Sequence, residues 1–176
     1  FRMDPEVPLV VPEVNADALA VRPPKGIIAN PNCSTVPVVM AMKPLDALWG
    51  LERIVACTYQ SVSGKGAQAV AELREESKAA LEHRAAPAGE SFPHPIAFNL
   101  LPHIDEFEDS GYTREELKML NESRKMLRLP ALRVSATCVR VPVFRSHCVS
   151  VNATFKNKVS VEAARAALAA APGMVV

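Results

Sequence analysis

The segment that decides the fold is LRVSATCVRVPV (residues 132–143), followed after Phe144-Arg145-Ser146 by HCVSVNATFKN (147–157). Both runs are rich in valine and other strand-favouring residues and read as two consecutive strands. Two strands in a row, with no helix between them, argue against a doubly wound parallel fold. Upstream, LERIVACTYQS (51–61) carries hydrophobic and β-favouring residues without Gly or Pro and reads as a third strand. Helical patterns separate the strands. One runs over 33–49, with Pro37 tolerated in its first turn and Pro44 marking a kink or an early end. A second covers 67–83. A third, opened by the capping box Thr113-Arg114-Glu115-Glu116, runs to 127. Ser160 caps a last alanine-rich helix that stops before Pro172. Residues 7–14 and 25–29 read as extended, and 85–102 as a proline-containing loop. The expected class is α+β: a mixed or antiparallel sheet covered by helices on one face.

Composition narrows the function. At 176 residues the chain can bury a real core, and 49% hydrophobic with 22% charged residues is ordinary for a soluble domain. A net charge of +1 with no basic run makes nucleic acid a poor candidate partner. The apolar runs are far shorter than a membrane span, and no signal peptide is legible. Cys33, Cys57, Cys138 and Cys148 form no CxxC pair, so neither a metal knuckle nor a dithiol motif is supported and no metal is expected. Reduced thiols fit a cytoplasmic setting. Cys57 and Cys138 lie in apolar strand-like runs and read as core. The chain begins at Phe1 without an initiator Met and stops at Gly173-Met174-Val175-Val176, where a strand would begin; the expectation is a piece of a longer polypeptide.

Asn30-Pro31-Asn32-Cys33-Ser34-Thr35-Val36 sets a cysteine in a polar turn immediately before a helix. There a thiol is expected to face unpaired N–H groups and the positive end of the helix dipole, which favour the nucleophilic thiolate. The other reading is a buried cysteine beside a capping Ser or Thr. Arg140 sits between Val139 and Val141. Facing inward it needs an anionic partner, such as a substrate carboxylate; otherwise it faces solvent. His147 begins the next strand, and Cys with His is the nucleophile and acid–base pair of thioester chemistry. His83, His94 and His103 read as surface or loop residues. Gln60 ends an apolar strand before Ser63-Gly64-Lys65-Gly66, a turn whose glycines either admit a ligand close to the backbone or simply start a helix. Glu115 and Lys118, three apart on a helix, share a face. They are either a solvated pair or the lining of a pocket.

Together these segments closely resemble aspartate-semialdehyde dehydrogenase, in its catalytic and dimerisation domain. The runs that carry the resemblance are PLVVPEVN (8–15), GIIANPNCSTV (26–36), TYQSVSGKGA (58–67), 98–104, 115–125 and 134–152. The resemblance implies a glyceraldehyde-phosphate-dehydrogenase-like C-terminal catalytic domain, here incomplete. It also implies the reversible NADP-dependent conversion of L-aspartate-4-semialdehyde and phosphate to L-4-aspartyl phosphate. That reaction feeds lysine (through diaminopimelate), methionine, threonine and isoleucine synthesis, and a homodimer is expected to carry it out. On the same basis Cys33 matches the nucleophile, His147 the acid/base, and Gln60 the residue that orients the reacting groups. Arg140 matches the holder of the substrate carboxylate, Glu115 the partner of the substrate amine and Lys118 a phosphate-site lysine. Asn32 matches the asparagine beside the nucleophile. Ser63 and Gly64 fall in the loop near the nicotinamide.

The chain departs from the family in lacking a dinucleotide-binding fingerprint, so the resemblance implies that residues 1–176 form a catalytic and dimerisation fragment that does not turn over alone. N-acetyl-γ-glutamyl-phosphate reductase uses the same thioester logic, but Glu115 favours a substrate with a free amine. A glyceraldehyde-phosphate type dehydrogenase shares the Cys–His pair without these flanking segments. A non-catalytic dimerisation module remains open for the fragment. A cysteine hydrolase lacks any sign of a third triad member.

Overall fold

The computed structural model describes residues 1–86 and 89–176. Among the described residues, β1 (Leu51–Gln60), β2 (Arg133–Arg140) and β3 (His147–Phe155) form one sheet in the order β2-β1-β3. The amide of Val141 donates to Gln60 O at 2.9 Å, so β1 and β2 finish together and run parallel. Lys156 N–H donates to Gly50 O at 2.8 Å, which brings the end of β3 to the start of β1, antiparallel. The sheet is therefore mixed, within the expected α+β class. The two consecutive strands do not pair with each other; they flank β1.

The chain forms two compact units: Phe1–Ala56, Glu116–Ala136 and Val151–Val176 make the first, and Cys57–Glu115 and Thr137–Ser150 the second. In the first, α1 (Pro12–Asn15) replaces the end of the extended run expected over 7–14. Pro12 sits in the first turn, and the Asn15 side chain accepts from Val11 N at 3.0 Å and donates to Leu9 O at 2.8 Å, closing the chain into a turn. Only Leu9 is bridged like a strand, to Ala29. The helix α2 (Thr35–Trp49) continues past Pro44, so the early end is not observed. Its residues Val38, Val39, Met42 and Leu45 are buried, and this apolar stripe outweighs the one hydrogen bond a proline removes. Gly50, at φ +68°, ends it and leads into β1. The C-terminal α5 (Val161–Ala170) packs on α2 and is capped as expected, Ser160 Oγ accepting from Ala163 N at 3.2 Å.

In the second unit, a 3-10 turn (Val62–Lys65) joins β1 to α3 (Ala67–Leu81), which ends two residues before the expected His83. Gly66 makes the junction at φ +104°, a conformation that favours glycine. Val62, Ala69, Leu73, Ile96 and Leu101 form the core here. The loop expected over 85–102 is irregular where described; residues 87–88 lie outside the described residues. Carboxylates on α3 hold it in place. Glu72 accepts from Glu90 N (3.1 Å) and Ser91 N (2.9 Å), and buried Glu76 from Ile96 N (2.8 Å) and Ala97 N (2.9 Å). Replacing Glu76 with alanine strips both amides of their acceptor. We expect a loss of about 1–3 kcal/mol in urea unfolding, together with faster proteolysis within 89–101. Unchanged values for both would show that the loop is held otherwise.

Candidate active site

The first unit carries Asn32, Cys33 and Lys118. Cys33 is exposed, one residue ahead of Ser34, which stands at the N-cap position of α2 without a capping hydrogen bond from its side chain. Asn32 shapes this turn: its Oδ1 accepts from Ser34 N at 2.9 Å, and its carbonyl accepts from Thr35 N at 3.0 Å and Val36 N at 3.3 Å. The next residue, Pro37, has no N–H. The expected row of unpaired amides is therefore already taken up by Asn32, and what the helix offers the thiol is its dipole. The turn is also anchored from α4 (Arg114–Leu127). Buried Glu122 takes Asn32 N–H at 2.7 Å on one oxygen and Arg2 Nη1 at 3.1 Å on the other. Lys125, one turn further along, donates to the carbonyls of Arg2, Asp4 and Val7 at 2.8–2.9 Å. Burial pushes its pKa below the ordinary lysine value, against the pull of Asp4.

The second unit gathers Gln60, Ser63, Gly64, Glu115, Arg140 and His147. Gln60 is buried at the end of β1, its Nε2 3.3 Å from Glu115 Oε1 and 3.2 Å from Thr58 Oγ1. Arg140 is only 5% exposed, which decides between its two readings: the guanidinium faces inward. Leu101 bridges its backbone, and its Nη1 donates to Ser61 O at 2.7 Å. The link after β2 folds over the end of β1, as Val62 N–H donates to Val143 O at 3.0 Å and Ser63 N–H to Phe144 O at 3.2 Å. It thereby returns the chain to His147, whose Nδ1 lies 3.1 Å from Ser61 N and 3.2 Å from Ser61 Oγ.

Gly64 closes this cluster. A β-carbon there would lie 3.2 Å from Arg140 Nη1 and 3.5 Å from His147 Nε2, so the missing side chain keeps open the space in front of both groups. Gly64→Ala is expected to push the Arg140 guanidinium or the His147 ring aside, read as a change in the His147 ring 15N shifts with the melting temperature unchanged. Unchanged shifts would mean that the added methyl is accommodated elsewhere.

Three contributors escaped the sequence reading. Ser61 acts through its backbone and leaves no residue-type signal. Glu122 is seven residues, two helical turns, past Glu115, so face periodicity alone flags it. His103, read as a surface or loop residue, does lie in a loop, but it is half-buried, stacks on Phe107 with ring centroids 4.7 Å apart, and lines a cavity of about 280 Å³ with Lys65 and Arg140. Cys138 is buried, as a core residue should be, whereas Cys57 is half-buried. Among the described residues no helix is long and apolar enough to cross a membrane.

The second unit thus holds a buried arginine and an imidazole fixed at a strand start, and the first an exposed cysteine ahead of a helix. A family model described as semialdehyde dehydrogenase, dimerisation domain, matches residues 42–176, and the chain belongs to that family. The aspartate-semialdehyde dehydrogenase of Aquifex aeolicus is 51% identical over all of this chain and 52% of its own length. Aspartate semialdehyde dehydrogenase II of Vibrio cholerae, solved in complex with ASA, superposes with a TM-score of 0.95 at 43% identity, over 98% of this chain and 51% of its own. The Candida albicans enzyme solved with NADP gives a TM-score of 0.67 at 26% identity, over 95% of this chain and 46% of its own. The chain thus spans about half the length of the relatives it matches.

Proposed function

We propose that residues 1–176 are the catalytic and dimerisation portion of an aspartate-semialdehyde dehydrogenase that works as a cytoplasmic homodimer in the synthesis of lysine, methionine, threonine and isoleucine. The observation that carries this reading is the enclosed guanidinium of Arg140 beside His147 and the bare backbone of Gly64, a site shaped for a small carboxylate-bearing substrate. Similarity over the full chain to aspartate-semialdehyde dehydrogenases supports it.

Arg140 holds the substrate α-carboxylate and Glu115 its amino group, with Gln60 orienting the reacting carbon between them. The Cys33 thiolate attacks the aldehyde carbon, forming a C–S bond and placing negative charge on the oxygen. His147 handles the proton of that oxygen. Loss of hydride leaves a thioester. A phosphate oxygen, with the phosphate held by Lys118, then attacks the thioester carbonyl, while Asn32 shapes the turn beside the nucleophile. The C–S bond breaks, acyl phosphate leaves and the thiolate is restored. Ser63 and Gly64 would lie against NADP, which when bound supplies the hydride-accepting nicotinamide. The rest of the dinucleotide needs residues beyond this chain, since no Gly-rich fingerprint occurs in it.

The test is phosphate-dependent NADPH formation by the full-length protein, with L-aspartate-4-semialdehyde set against N-acetyl-L-glutamate semialdehyde. Turnover of the first alone is expected. Turnover of the second would move the assignment to the acetylated pathway, and silence with both would leave an interaction module.

A further inference from the structure

The ring of His147 is held by its Nδ1 edge. Ser61 donates its backbone N–H to that nitrogen at 3.1 Å. Ser61 Oγ lies 3.2 Å from the same atom and 3.0 Å from Ser63 Oγ. A nitrogen that accepts an amide hydrogen presents its lone pair and cannot also carry a proton, because two hydrogens would then face each other across 3.1 Å. An imidazole has two nitrogens, so fixing one as acceptor fixes the proton on the other. Nε2 is the nitrogen on the Gly64 side of the ring: a β-carbon at Gly64 would lie 3.5 Å from it and 3.2 Å from Arg140 Nη1.

We infer that Ser61 is a positioning residue whose backbone N–H holds His147 as a neutral imidazole protonated at Nε2, so that His147 meets the reacting oxygen as a hydrogen-bond donor. The inference rests on the reading of His147 under Proposed function and changes what the residue does first. In the resting site it does not withdraw a proton. As the thiolate adds to the carbonyl, the carbon–oxygen π pair moves onto oxygen, and an Nε2–H is the kind of donor that stabilises the charge developing there. A preorganised donor of this kind acts without reorganisation at the moment of reaction. The role belongs to the main chain, so the side chain at position 61 is interchangeable, provided it leaves the amide hydrogen.

That condition defines the experiment. Ser61 has φ −64° and follows an extended residue, a backbone that proline adopts without strain. Ser61→Pro therefore removes the one hydrogen in question, and Ser61→Ala removes only the hydroxyl. The full-length protein, labelled with 15N in its histidine rings, is examined at neutral pH by multiple-bond 1H–15N correlation, with His147→Asn identifying the signal. Wild type and Ser61→Ala are expected to show a single tautomer, Nδ1 bare and Nε2 protonated. Ser61→Pro, with folding verified by circular dichroism, is expected to lose that pattern and populate the Nδ1–H form. A protonated Nδ1 in the wild type overturns the inference, and so does an unchanged spectrum in a folded Ser61→Pro variant. If the proline variant does not fold, the wild-type and alanine spectra still decide. The measurement uses no substrate, so a protein inactive on aspartate semialdehyde that keeps the Nε2–H signature would refute the function and not the tautomer.

Discussion

Cys33→Ala is expected to abolish phosphate-dependent turnover of L-aspartate-4-semialdehyde by the full-length protein, a loss of at least about 10⁴-fold in kcat, on the scale seen when a covalent nucleophile is removed. The fold is expected to be unaffected. The contacts that shape the turn, Asn32 to Ser34 and Glu122 to the Asn32 amide, run through neighbouring atoms rather than through the thiol carbon. Cys148 supplies an internal control. It is also exposed, and it points to the opposite face of β3 from His147. Iodoacetamide is therefore expected to modify both cysteines, with inactivation following Cys33 alone. A Cys148→Ala enzyme should keep wild-type activity and be inactivated at the wild-type rate. Substantial turnover by Cys33→Ala would remove covalent catalysis from the mechanism and return Cys33 to an ordinary helix-start residue.

The parts of this site that were legible in the sequence are those fixed by local chemistry. Ser160 caps α5, the strands around 133–140 and 147–155 form where β-favouring residues run together, and Cys33 precedes a helix. The flanking valines leave Arg140 open between solvent and interior, yet β2 holds the answer. Its alternate residues Ala136 and Cys138 are buried, and a period of two puts Arg140 on their face. The run 7–14 misled because strand-like composition there serves a single bridge to Ala29, while the Asn15 side chain turns the chain back on itself. The early end that Pro44 suggests does not occur: its local cost is real, but buried residues on both sides of it hold α2 together to Trp49. The amide of Ser61 and the carboxylate of Glu122 act over 86 and 90 residues of sequence, distances at which no local pattern signals contact.

Arg140→Ala should lower kcat/KM for aspartate semialdehyde by about 10²–10³-fold, mainly through KM, the loss expected when one member of an enclosed charge pair is truncated. Arg140→Lys keeps the charge but offers one ammonium in place of a planar fork and is expected to recover little of the loss. The variant also strips Ser61 O of its 2.7 Å donor, so a lower rate alone does not distinguish carboxylate binding from damage to the loop. The substrate analogue 3-aminopropanal, which is the semialdehyde without its α-carboxylate, separates the two. If the guanidinium binds that carboxylate, the wild-type enzyme discriminates strongly against the analogue, and Arg140→Ala handles analogue and substrate almost alike. The two deletions are then non-additive, as removal of both ends of one interaction must be. If Arg140→Ala instead loses the same factor on both aldehydes, Arg140 serves to support the Ser61 carbonyl. In that case the carboxylate is held elsewhere, with Lys65 and His103, which line the same cavity, as the next groups to test.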